Sequence, residues 1–101
     1  MTHSNFIVGT SSIGKTRKLL EFAREQNAVV VCKNPSGMAR KAQAYGIFGL
    51  SFIGYDEVIS SNHIYDGEVY IGEKFVIDEV ADFLSDFFGG PCIGFTQTEE
   101  E

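Results

Sequence analysis

Short apolar runs alternate with amphipathic stretches along the whole chain. The apolar runs fall near residues 5–8, 28–32, 50–53, 74–78 and 92–97. Each is the length of a buried strand and none shows the polar alternation of a half-solvated one. Ala28-Val29-Val30-Val31-Cys32 is the clearest, with three β-branched residues together. Between the runs, apolar side chains recur at helical spacing. Residues 14–26 carry Leu19, Leu20 and Ala23 on the face that begins with Thr16. Residues 36–45 carry Met38, Ala42 and Tyr45, with Asn34 or Ser36 as N-cap, Pro35 at the start and Gly46 as the stop. A short helix at 55–60 turns Val58 and Ile59 inward. A helix at 79–88 carries Val80, Phe83, Leu84 and Phe87 on one stripe, and Gly89-Gly90-Pro91 ends it. Asp66-Gly67 is either a hairpin turn or part of a loop leading to the next strand. Strands alternating with helices predict one three-layer α/β domain over residues 1–101, with a mostly parallel five-stranded sheet.

Composition narrows the class. The chain has 101 residues, enough for one small domain. No apolar run approaches the length that spans a bilayer, and Met1-Thr2-His3-Ser4-Asn5 lacks a charged signal-peptide opening. A cytoplasmic protein without membrane contact is expected. Cys32 and Cys92 lack metal-ligand spacing, and His3 and His63 are isolated, so both cysteines read as buried free thiols in strands. Net charge is −6, unevenly spread. Residues 1–41 hold seven basic and two acidic side chains, a balance of +5; residues 42–101 hold Lys74 against twelve acids, a balance of −11. The overall sign disfavours non-specific nucleic-acid binding. The basic half leaves room for a local contact through Lys33, Arg40 and Lys41, or for plain solvated helix faces.

Two motifs carry chemistry. Gly9-Thr10-Ser11-Ser12-Ile13-Gly14-Lys15-Thr16 fits G-x-x-x-x-G-K-[ST] at every fixed position, after the apolar run Phe6-Ile7-Val8 and before a helix. In such a loop Gly9 and Gly14 let the backbone curl so that successive N–H groups face phosphate oxygens, and the helix N-terminus adds positive potential. Lys15 then reaches the β- and γ-phosphates, and the Thr16 hydroxyl ligates Mg²⁺. The bland alternative, a glycine-rich turn, has no need of Lys and Thr at those places. The second motif is Phe75-Val76-Ile77-Asp78-Glu79, an apolar strand ending in acids. In a parallel sheet Asp78 emerges at the carboxyl edge, where ligands bind. There it can hold Mg²⁺, with Glu79 next to it to polarise a water. An acidic start to the following helix is the competing explanation. Gln97 (with Thr96) closes the last apolar run and is either a γ-phosphate sensor or an ordinary strand end.

This set of motifs, in this order, resembles the catalytic core of helicase-like and recombinase-like P-loop ATPases. With Val30-Val31-Cys32-Lys33, Tyr55-Asp56-Glu57 and Gly94-Phe95-Thr96-Gln97-Thr98 added, it looks like the very small P-loop proteins encoded by phages and prophages. The resemblance implies binding of ATP or GTP with Mg²⁺, and hydrolysis assisted by Lys15, Glu79 and Gln97. It also implies that the strand at 92–97 lies between the strand at 5–8 and the Asp78 strand, with the second and third strands beyond. No arginine finger is identifiable, so a homo-oligomer or a larger partner is expected to supply one, and hydrolysis by the chain alone is expected to be slow. Two other readings stand beside it. One is a nucleotide-binding interaction protein with vestigial catalysis. The other, less favoured, is a small nucleoside or nucleotide kinase, for which the chain has no room for a lid.

Overall fold

A computed structural model describes residues 13–64, 74–96 and 98. The expected strand at 5–8, loop residues Gly9, Thr10, Ser11 and Ser12, the Asp66-Gly67 turn, Gln97 and the acidic tail lie outside the described residues. The elements run α1 (Ile13–Gln26), β1 (Val29–Cys32), α2 (Pro35–Ala44), β2 (Phe52–Gly54), α3 (Tyr55–Ile64), β3 (Phe75–Ile77) and α4 (Val80–Phe88).

Among the described residues three parallel strands form a sheet in the order β2-β1-β3. β1 is central, and Val30, Val31 and Cys32 in it are all buried, whereas Phe52 of β2 and Phe75 of β3 are not. Val30 pairs with Phe52 on one side and with Val76 on the other. Its alternate side chains serve opposite faces. Val30 and Cys32 join Leu20 and Ala23 of α1 and Met38 and Ala42 of α2. Val31 joins Ile53 and Tyr55 on the other face, under Val58 and Ile59 of α3 and Phe83 of α4. Helices therefore cover both faces of a small α/β domain, and β1 and β2 both lie to one side of the Asp78-bearing β3, as expected.

Local chemistry explains the boundaries. Asn34 caps α2: its Oδ1 accepts from the Gly37 N–H at 3.2 Å, and Pro35 fills the first helical position, where no N–H is needed. Gly46 takes φ 76° just beyond the helix, a conformation open to glycine without strain. α3 continues past Ser60 to Ile64, since Ser61-Asn62-His63 contains neither Gly nor Pro to stop it. β2 sits at 52–54 rather than 50–53, because pairing with β1 sets its register; Leu50 packs against the core without joining the ladder.

The expected fifth strand at 92–97 is not found. Residues 91–96 are irregular, and Ile93 is 97% exposed. Gly89 ends α4 at φ 73°, and the Cys92 N–H then donates to Ser85 Oγ at 3.3 Å. That bond ties the chain back to the helix it has just left instead of delivering it to the sheet. Cys92 is accordingly neither in a strand nor fully buried; its thiol donates to the Gly94 carbonyl at 3.5 Å. Cys32 matches the expectation of a buried free thiol, and burial, then the charge of Asp78, pushes that thiol up to about 11.

Candidate functional site

The site lies where β3 runs out at the carboxyl edge of the sheet. The Asp78 N–H donates to the Val31 carbonyl at 2.9 Å, the last rung between β3 and β1. The chain then breaks. Glu79 adopts φ 57°, ψ 67°, a left-handed conformation that costs a non-glycine residue about 1 kcal/mol or more. Its side chain makes no capping bond to the helix it precedes. α4 consequently begins at Val80, one residue later than the sequence pattern suggests. The turn leaves Asp78 half-buried and Glu79 exposed.

α1 brings its first turn to the same edge. Lys15 Nζ lies 3.5 Å from Glu79 Oε2, with the lysine side chain 21% exposed and the glutamate 51%. The two motifs, more than sixty residues apart in sequence, therefore meet. Thr16 follows Lys15 in α1 and is half-buried. Gly14 is in α1 and has no positive φ; the loop residues before Ile13, on which the expected curl depends, lie outside the described residues. No described atom lies within 4 Å of where a Cβ would stand at Gly14, so among the described residues no packing requires a glycine there.

The electrostatics is mixed. Burial, then the Glu79 carboxylate, pushes the Asp78 carboxyl above the usual carboxylate range; Asp82 adds slightly, while Lys41 and Lys15 pull it back. A cation at this edge would relieve that opposition. Two further basic residues, Lys33 and Arg40, are exposed just after β1 and on α2, as is Lys41. Among the described residues no group of three or more His, Cys, Asp or Glu is placed to hold a metal. That excludes an all-protein cage there, not Mg²⁺ at a nucleotide site. Such Mg²⁺ takes one or two protein oxygens and completes its octahedron with water and phosphate, and the hard oxygens of Thr16 and Asp78 suit it.

One residue of the site has no role there in the sequence reading, although it belongs to the Tyr55-Asp56-Glu57 stretch of the resemblance. Tyr55, 1% exposed, opens α3, and its hydroxyl donates to the carbonyls of both Asp78 and Glu79, the latter at 3.0 Å. Its ring meets Phe83 edge-on at 5.2 Å between centroids. In sequence Tyr55 is only an aromatic after a short strand; nothing there signals a bond to residues over twenty positions away. Among the described residues no helix is long and apolar enough to cross a membrane. Comparison of the chain with family models, with curated proteins and with solved structures finds no match.

Proposed function

We propose that the chain binds the phosphates of ATP or GTP through Gly9, Thr10, Ser11, Ser12, Ile13, Gly14, Lys15 and Thr16, with Mg²⁺ between Thr16 and Asp78. The observation that carries this reading is the approach of Lys15 to Glu79 beside Asp78, at the carboxyl edge of a parallel sheet. A glycine-rich turn with an acidic helix start, as unrelated features, gives no reason for the lysine and the acids to converge. The reading includes a further parallel strand at 5–8 that feeds the loop. In it Lys15 exchanges Glu79 for the β- and γ-phosphates, which frees the Glu79 carboxylate to orient a water. Hydrolysis is slow in the chain alone and is stimulated when a second copy or a larger partner supplies an arginine. Gln97 senses the γ-phosphate. A second reading keeps nucleotide binding and gives up catalysis for a protein–protein role. The exposed Phe75, Phe88, Ile93 and Phe95 favour it, since they offer apolar surface to a partner.

Thermal denaturation with millimolar MgATP or MgGTP tests the shared core of both readings. Ligand at a hundred times its dissociation constant stabilises by about 2.7 kcal/mol. For a domain of this size that raises Tm by about 10 °C or more. Lys15→Ala is expected to remove most of the rise. Glu79→Gln is expected to keep it and to lose phosphate release, and retained release in that variant would exclude Glu79 as the base. An unchanged wild-type Tm with both nucleotides would reject nucleotide binding by this chain.

A further inference from the structure

The Tyr55 hydroxyl is the only polar group of a side chain that is otherwise sunk in the second face of the sheet, against Val31 and Ile53 and with Phe83 over its ring. It donates to the two successive carbonyls that flank the left-handed turn at Glu79. That turn lacks the usual supports: no glycine occupies it, and no side-chain cap closes the start of α4. A strained backbone conformation persists only where its surroundings over-determine it. Here the surroundings are the Asp82 and Phe83 N–H groups on the Glu79 carbonyl, the Val31 carbonyl on the Asp78 N–H, the Lys15 ion pair, and the Tyr55 hydroxyl, which reaches both carbonyls from a packed ring.

We propose that Tyr55 is a positioning residue: its hydroxyl clamps the Asp78 and Glu79 carbonyls, and so fixes the direction in which both carboxylates leave the sheet edge. The consequence is geometric. If the Glu79 φ relaxed to the right-handed region, α4 could start a residue earlier and the Glu79 side chain would swing with it, away from Lys15. The direction of Asp78, set by the same carbonyls, would change too. Burial, then the charge of Asp78, holds the Tyr55 hydroxyl well above the ordinary tyrosine range. The clamp rests on the proposed nucleotide site for its purpose, not for its existence, and the two can fail separately.

The test compares Tyr55→Phe, which deletes the hydroxyl and keeps the ring, with Phe83→Leu, which loosens the ring and keeps the hydroxyl. The first readout needs no nucleotide. In wild type, Glu79 should give the strong intraresidue amide-to-Hα Overhauser effect of a positive φ. Tyr55→Phe is expected to lose it and Phe83→Leu to retain it. A positive φ preserved in Tyr55→Phe would overturn the clamp. The second readout is nucleotide affinity in Mg²⁺ relative to affinity in EDTA. Residues that orient a metal ligand alter metal affinity about 10- to 100-fold. The Mg²⁺ advantage is therefore expected to fall at least about tenfold in Tyr55→Phe and to stay near wild type in Phe83→Leu. Equal weakening with and without Mg²⁺ would make Tyr55 merely structural and overturn the positioning role. If wild type binds no nucleotide, the proposed function is rejected and the Overhauser readout still decides the clamp.

Discussion

The two faces of the sheet are filled very differently. Among the described residues, nine buried side chains form the cluster under α1 and α2, whereas three form the one under α3 and α4. α4 contributes no fully buried residue, although Phe83, Leu84, Phe87 and Phe88 lie along it, and Phe88 is 73% exposed. The difference shows how the labour is divided. Lys15 extends from the helix of the tightly packed face, so its position is set by the scaffold. Asp78 and Glu79 sit at the junction of β3 with the loosely packed helix, where the Tyr55 hydroxyl joins the backbone bonds of β3 and α4 in holding the two carbonyls.

Mutations can break this contrast or sharpen it. The largest effect is expected in the dense face. Leu20→Ala removes a fully buried side chain and should cost about 2–5 kcal/mol, a large share of the stability of a small domain. Phe88→Ala, on the sparse face, should stay within about 0.5 kcal/mol. Urea midpoints measure both, and similar losses in the two variants would refute the contrast. Next comes the junction: Tyr55→Phe should cost about 1 kcal/mol, the net worth of a hydroxyl hydrogen bond, since the ring packing is retained.

The Asp78 prediction concerns sign. Its folded pKa is raised, so the folded chain holds the proton more tightly than the unfolded one. Below the unfolded value, about 4, both states are protonated and no penalty exists. As pH rises through the folded pKa, the buried carboxylate becomes charged and stability is lost. Asp78→Asn should therefore match wild type near pH 3 and become progressively the more stable of the two toward pH 7, by denaturation at each pH. A variant that loses stability at pH 7 would mean that the carboxylate is held by a favourable partner. The smallest effect belongs to the surface of α1. Arg17 pairs with Glu21 at 3.3 Å and lies 5.7 Å above the Tyr45 ring, all near solvent. Arg17→Ala should cost about 0.5 kcal/mol, less in high salt.

Much of the fold was legible in the sequence. Three consecutive β-branched residues marked β1, Asn34-Pro35 marked the start of α2, and the helical spacing of Leu20 with Ala23 and of Met38 with Ala42 picked out residues that are buried. These features depend on local sterics and on which side chains avoid water, and both are written in the residue order. The last apolar run was misread for a related reason. Cys92-Ile93-Gly94-Phe95 has the composition of a strand, but a strand also needs a neighbour, and composition does not record the Ser85 hydroxyl that holds the chain back.

By itself the sequence determined the alternation of elements, the residues of the dense core, and the two motifs that carry the candidate chemistry. Only the tertiary structure decided that Lys15 and Glu79 meet, that Glu79 stands in a left-handed turn, and that the Tyr55 hydroxyl reaches the carbonyls on both sides of it. The first and the last of those facts join residues far apart in the chain. A pattern of apolar and polar positions specifies which face a side chain seeks, but not which distant atom it will find there.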